Sequence, residues 1–180
     1  MASFKLLGIS GSLRAQSDNT KLLAEAARLF GDANYTLGDI KLPLYNGDDE
    51  DAHGVPEAVD TLAQQISDAD AVLISTPEYN KGPSGALKNA LDWISRSKIK
   101  PWGDKPVAVM SAAAGRAGGE RAQMVLRGYM VPFRPRIFQG PEIHLAASYE
   151  AFDEDGRLKG EMYVKELSAL MEAVRAAVVR

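Results

Sequence analysis

Apolar residues along this chain come in two rhythms that alternate from end to end. Short unbroken runs, Phe4-Lys5-Leu6-Leu7-Gly8-Ile9, Ala71-Val72-Leu73-Ile74-Ser75 and Pro106-Val107-Ala108-Val109-Met110, read as strands. Runs without polar alternation are expected where a sheet is covered on both faces. Tyr35-Thr36-Leu37 and Arg136-Ile137-Phe138 are shorter runs of the same kind. Between the strands the apolar positions fall three and four apart, the spacing of a helix with one buried stripe. Asn19 to Phe30 has Leu22, Leu23, Ala26, Leu29 and Phe30 on one side. Pro56 opens a helix with Val59, Leu62, Ala63 and Ile66, and Ser84 is placed to cap one with Leu87, Ala90, Leu91 and Ile94. Ala122, Val125, Leu126, Tyr129 and Met130 mark another, and Met162 to Val179 closes the chain with Leu167, Leu170, Met171, Val174 and Val178 on its stripe. Asn46-Gly47-Asp48-Asp49-Glu50-Asp51 is read as a solvated acidic loop. Five strands alternating with five helices predict one α/β domain over residues 1–180, an open five-stranded parallel sheet with helices on both faces.

In such a sheet, ligands bind outside the carboxyl ends of the strands, where strand order reverses. The loops after strands one, three and four are therefore the candidate site. The first, Gly8-Ile9-Ser10-Gly11-Ser12-Leu13-Arg14-Ala15-Gln16-Ser17-Asp18-Asn19-Thr20, offers hydroxyls, a guanidinium and the amides of a helix start, which is the donor set of a phosphate site. It has neither the Gly-Lys-Ser/Thr of a nucleoside-triphosphate loop nor G-x-G-x-x-G, so a terminal monophosphate fits it best. Asp18 does not suit an anion site and is expected to point outward; Ser17 or Asn19 is the expected helix cap. The second loop, Thr76-Pro77-Glu78-Tyr79-Asn80-Lys81-Gly82-Pro83-Ser84-Gly85, brings an aromatic face and amide groups. The third, Ser111 to Gly119, is nearly bare of side chains, so that a flat ring can lie on its backbone. Taken singly, the second and third loops are at least as well read as ordinary turns, with Tyr79 packed inward, and the first favours the phosphate reading over a plain capped turn.

Composition narrows the chemistry. The 180 residues include no cysteine and two histidines, His53 and His144, which excludes disulfides, thiol nucleophiles, cysteine-held metals and a three-histidine metal site. A formal net charge of −3 argues against nucleic acid as partner. No apolar run is long enough to span a bilayer, and Met1-Ala2-Ser3-Phe4-Lys5 is unlike a signal peptide, so a cytoplasmic protein is expected.

Gly11-Ser12-Leu13-Arg14-x-x-Ser17-x-Asn19, then Pro77-Glu78-Tyr79-Asn80 and Leu87-Lys88-Asn89-Ala90-Leu91-Asp92-Trp93, resembles the NAD(P)H-dependent FMN reductase family over nearly the whole chain. That family includes quinone, chromate and ferric reductases. The resemblance implies a flavodoxin-like fold of strand order 2-1-3-4-5, bound FMN, NADH or NADPH as electron donor, and a homodimer or homotetramer. It implies that Ser12, Arg14, Ser17, Asn19 and Thr20 hold the phosphate, and that Pro77, Glu78, Tyr79, Asn80, Ser111 and Gly115 border the ring. The hydride step would take place on the flavin, with no side chain required as base. Acceptors would be quinones first, with chromate, ferric complexes and free flavins as others. Ser84-Gly85 stands where the family commonly has Pro-Gly, so acceptor preference does not carry over.

Arg96 matches a family position near nicotinamide entry, and equally suits a helix end. His144 is expected to follow the fifth strand on the ligand side, as a second candidate for assisting cofactor binding or as a packed residue. Trp93 and Trp102 read as core. Two other functions compete. An electron carrier of flavodoxin type would lack nicotinamide oxidation. A serine hydrolase would use Gly8-Ile9-Ser10-Gly11 as a nucleophile elbow, but Ser12 stands where G-x-S-x-G needs glycine.

Overall fold

The structure, a computed structural model, describes residues 4–178. Chain order is β1 (Phe4–Ser10), α1 (Asp18–Phe30), β2 (Ala33–Gly38), α2 (Gly47–His53), α3 (Glu57–Asp68), β3 (Ala71–Thr76), α4 (Gly85–Arg96), β4 (Pro106–Ala112), α5 (Glu120–Met130), β5 (Arg136–Ile137), β6 (Ile143–Leu145) and α6 (Glu161–Val178). Single 3-10 turns occupy Val131–Phe133 and Ser148–Glu150. All strand pairings are parallel, and the sheet runs β2-β1-β3-β4-β5, with β6 also on β4. The order implied by the flavodoxin-like resemblance is thus the observed one.

Residues alternate between the two faces of the sheet. Leu6, Leu73 and Met110 pack with Leu22, Leu23, Ala26 and Phe30 of α1 and Leu167, Leu170, Met171 and Val174 of α6. Leu7, Ile9, Val72, Ile74, Val107 and Val109 face α3, α4 and α5 through Leu62, Ile66, Leu87, Leu91, Ile94, Leu126 and Met130. Period-two alternation with both faces covered explains why these strands read as continuous apolar runs. Trp93 and Trp102 are buried, as expected.

Three elements differ from the sequence reading. The acidic stretch is not a loop: Gly47–His53 is helical. It has no buried face, and its signal is in the ends. Asn46 Oδ1 accepts from Asp48 N at 3.1 Å, acids fill the first turn, His53 sits in the last, and Gly54 ends it at φ 79°. The fifth strand is two pieces. β5 pairs with Pro106–Val107 and β6 with Met110–Ala112, because Pro141 between them has no N–H to donate to a ladder. His144 therefore lies within a strand, opposite Ser111, rather than after one. α1 begins at Asp18, with Ser17 rather than Asn19 as its cap. Val179, assigned to the last helix from its spacing, lies outside the described residues. No helix of the described residues is long and apolar enough to cross a membrane.

Glu25, on α1, is 2% exposed and binds two arginines. Arg28 Nε and Nη2 donate to its two oxygens at 2.8 Å each, and Arg157 Nη1 approaches at 3.4 Å from the 152–158 turn. The Arg28 hydrogen bond, first among the causes, holds the carboxyl below its usual pKa. A lowered folded-state pKa gives stability that is present above the unfolded value, near 4.3. That stability is lost as pH falls through the folded value. Glu25→Gln is therefore expected to flatten the acid limb of a melting-temperature profile between about pH 6 and pH 3. An acid limb as steep in the variant as in the parent would contradict it.

Candidate active site

The strand order reverses between β1 and β3, so the loops after them diverge and leave a cleft. The β1 loop crosses closely over the β3 loop. Gly11 N donates to Ser75 O at 2.7 Å, and a Cβ on Gly11 would come within 2.9 Å of Thr76 Oγ1 and 3.2 Å of Pro77 Cδ. Ser84 Oγ donates to Gly11 O while accepting from Leu87 N, so the cap of α4 also pins this crossing. Asn19 is buried beneath it. Its Nδ2 donates to Ala112 O at 3.0 Å, and its Oδ1 accepts from Ala112 N at 3.0 Å and from Ser75 Oγ at 2.8 Å. One side chain thus ties the start of α1 to the ends of β3 and β4.

The β3 loop is a hairpin closed on itself. Tyr79 N donates to Gly82 O at 2.9 Å and Gly82 N to Tyr79 O at 3.1 Å. Asn80 and Lys81 make the turn, at φ 51° and 69°. Both point into solvent, and Tyr79 is 54% exposed rather than packed. Glu78 reaches across to the start of α5, where its Oε2 accepts from Arg121 N at 3.1 Å and Ala122 N at 3.3 Å. It thereby satisfies first-turn amides of α5 that its glycine cap, Gly119, leaves open. Near the end of β4, Ser111 is fully buried. It donates to Gly118 O at 2.6 Å and accepts from Gln123 Nε2 at 2.8 Å. Gly118 and Gly119 have φ of 57° and 91°, and a Cβ on Gly118 would collide with the His144 carbonyl.

These loops enclose a cavity of about 390 Å³. Of the residues singled out from sequence, Ser12, Arg14, Ser17, Asn19, Pro77, Glu78, Tyr79 and Gly115 line it. Thr20 and Ser111 stand behind that lining, and Asn80 lies outside it on the solvent side of the hairpin. Thr20 Oγ1 donates to Ser10 Oγ at 2.9 Å, bracing the first loop from inside. Arg96 and His144 do not line it either. Arg96 is at the far end of α4, roughly 16 Å along the axis from Gly85 at 1.5 Å per residue. Its Nε holds both oxygens of Glu50, at 2.9 and 3.0 Å. His144 is half-buried in β6, and its Nε2 has no hydrogen-bond partner. In the Leu87–Trp93 motif, Asn89 Nδ2 and Trp93 Nε1 both donate to Pro43 O, at 2.9 and 2.8 Å, and Asn89 Oδ1 accepts from Tyr45 N at 2.9 Å. That motif straps the segment after β2 to α4.

Three lining residues carry no sequence signal for a site. Asp18, expected to point outward, faces the cavity, and Ser148 and Tyr149 form a further wall. Gln123 supports the β4 loop from below; the sign of it is an amide set among the buried residues of α5.

The donor set suits a phosphate-bearing flat ligand. Asp18 N and Asn19 N are in the first turn of α1, beyond reach of its internal ladder. Ser12 Oγ and Ser17 Oγ each accept a backbone N–H, from Arg14 and Thr20, and keep their own protons to donate. Arg14 forms no ion pair among the described residues. The N–H groups of 114–117 have no backbone partner among the described residues, and a Cβ on Gly115 would meet nothing. The volume falls in the range usual for cofactor sites. FMN, the group implied by the resemblance, fits these residues.

Comparison with known proteins agrees. The family model described as NADPH-dependent FMN reductase matches residues 4–150. An NAD(P)H-dependent FMN reductase of Pseudomonas aeruginosa is 44% identical over 177 residues, covering 95% of each chain. A 2-hydroxy-1,4-benzoquinone reductase of Burkholderia sp. is 37% identical, covering 97% of this chain and 96% of its own. Among solved structures, the flavoenzyme NAD(P)H:(acceptor) oxidoreductase of Paracoccus denitrificans superposes with a TM-score of 0.86 at 34% identity, covering 97% of both chains.

Proposed function

This chain belongs to the NADPH-dependent FMN reductase family, and from that premise we propose that it is an NAD(P)H:quinone oxidoreductase whose FMN lies in the cavity between the β1, β3 and β4 loops. The chemistry supplied by bound FMN is acceptance of a hydride from the nicotinamide and release of two electrons to the acceptor. The protein binds and orients. Ser12, Arg14, Ser17 and the first-turn amides of α1, including that of Asn19, take the phosphate. Pro77, Glu78 and Tyr79 flank the ring, and the bare backbone at Gly115 gives it a surface of amides. Thr20 and Ser111 act behind this lining by bracing the loops, and Asn80 makes the turn that carries Tyr79. Quinones are favoured as acceptors because the Burkholderia relative is named for reducing a benzoquinone. A cytoplasmic homodimer or homotetramer completes the proposal. Met124 and Val131, 66% and 71% exposed on and just after α5, are apolar surface that such an assembly would cover.

The observation that carries the reading is the single cavity built by all three loops at the reversal of strand order. At about 390 Å³ it is near the small end of ligand sites. A flavin lying in it would offer one open face to nicotinamide and quinone alike. Donor and acceptor are therefore expected to take turns. Steady-state rates with NADH or NADPH and a benzoquinone should give parallel lines in double-reciprocal plots. Intersecting lines would show a ternary complex and defeat the shared cavity. No nicotinamide oxidation by flavin-loaded protein would favour an electron carrier instead.

A further inference from the structure

A carboxylate stands in the wall of the cavity where an anion is expected to bind. Asp18 is the first residue of α1, next to the amides and hydroxyls described above, and its side chain is 23% exposed. The phosphate of FMN carries close to two negative charges near pH 7. Free to swing, the carboxylate would repel that group and compete for the same first-turn amides, since an Asp at this position readily hydrogen-bonds them.

In the structure it is not free. Ser148 Oγ donates to Asp18 Oδ2 at 2.9 Å, across 130 residues of sequence. Lys21 Nζ is 3.4 Å from Oδ1. Both oxygens are thus turned toward partners. Ser148 is itself fixed: it is 5% exposed, its N–H donates to Ala113 O at 3.2 Å, and Ala147 before it sits at φ 44°. Ala113 N in turn donates to Leu145 O at 3.0 Å, so the turn is fastened to the ends of β4 and β6.

We infer that Ser148 is a positioning residue that holds the Asp18 carboxylate away from the phosphate subsite and so sets how strongly the site prefers FMN to a flavin without phosphate. The inference rests on reading the cavity as the FMN site. Lys21, 37% exposed on its side chain, supplies opposite charge but little direction, because an exposed lysine is loosely held. The hydroxyl supplies direction. Without it the carboxylate retains its charge and loses its bearing.

The test is flavin binding by the full chain stripped of flavin, titrated by fluorescence with FMN and with riboflavin at about pH 7.5, where the phosphate is mostly doubly charged. Ser148→Ala should weaken FMN about tenfold, equivalent to about 1.4 kcal/mol, and leave riboflavin unchanged. Asp18→Asn should tighten FMN about threefold, and the double variant should bind FMN at least as well as the parent, because the charge that Ser148 manages is gone. Equal weakening of both flavins in Ser148→Ala, or a double variant as weak as Ser148→Ala, would overturn the inference. Should Ser148→Ala not fold, Asp18→Asn decides: tightened FMN supports the inference and unchanged or weaker FMN overturns it. A parent that binds FMN no better than riboflavin would remove the phosphate reading and this inference together.

Discussion

Arg14→Ala is expected to weaken FMN binding roughly 10- to 150-fold while riboflavin binds as before, since a charge-assisted hydrogen bond contributes about 1.5–3 kcal/mol and tenfold is about 1.4 kcal/mol. Arg14 lines the cavity beside Ser12 and Ser17, is exposed, and has no carboxylate partner among the described residues. Its guanidinium is therefore available to an incoming phosphate without first breaking an internal pair. Exposure also means screening, so the effect should shrink as salt is raised. A fluorescence titration with both flavins at two ionic strengths checks it. Loss of riboflavin affinity to the same degree would make Arg14 a support of the loop rather than a phosphate ligand.

Asn19→Ala should cost about 3–5 kcal/mol of folding stability, because it leaves Ser75 Oγ, Ala112 N and Ala112 O unpaired in a buried place at about 1–3 kcal/mol each, with some relief if water enters. For a chain of this size, that corresponds to a fall in melting temperature of roughly 10 °C. The measurement is thermal unfolding of the flavin-free protein, so that lost cofactor does not add to the result. A change under about 1 kcal/mol would mean the three hydrogen bonds contribute little. Asn19 was singled out from its sequence motif as a phosphate ligand. Its side chain is spent on the scaffold, and what it can offer a phosphate is its backbone amide.

That contrast describes how far the sequence could be read. β1, β3 and β4 were legible because burial on both faces leaves an unbroken apolar run. α1, α3, α4 and α6 were legible because each has one buried stripe. α2 has no apolar face, and only its end residues, Asn46, the acids and His53, announced it. β5 was legible only as the short run Arg136-Ile137-Phe138, β6 is too short for any period to register, and Pro141 hides that the two lie along the same edge of β4. In the site, topology told which loops meet, since parallel order forces the ends of β1, β3 and β4 to one edge. Side-chain direction was not legible. Ser111 and Thr20 turn inward to neighbours distant in sequence or on the preceding strand, Glu78 turns sideways to cap α5, and Arg96 is taken by Glu50. Ser148 and Tyr149 follow a strand piece that was itself unseen, so nothing marked them.

The strap from Asn89 and Trp93 to residues 43 and 45 bears on how this fold can be cut and recombined. Both side chains satisfy backbone groups of a segment, residues 39–46, that lies in no helix or strand and so has no hydrogen-bond ladder of its own. α4 therefore supplies what that segment lacks, although some forty residues lie between them in sequence. A chimera of two relatives joined anywhere between 46 and 84 takes the strap from one parent and the strapped backbone from the other. Joints before 39 or after 96 keep the pair together. The inheritable unit here is the stretch from the end of β2 through α4, larger than any one loop of the cofactor cleft.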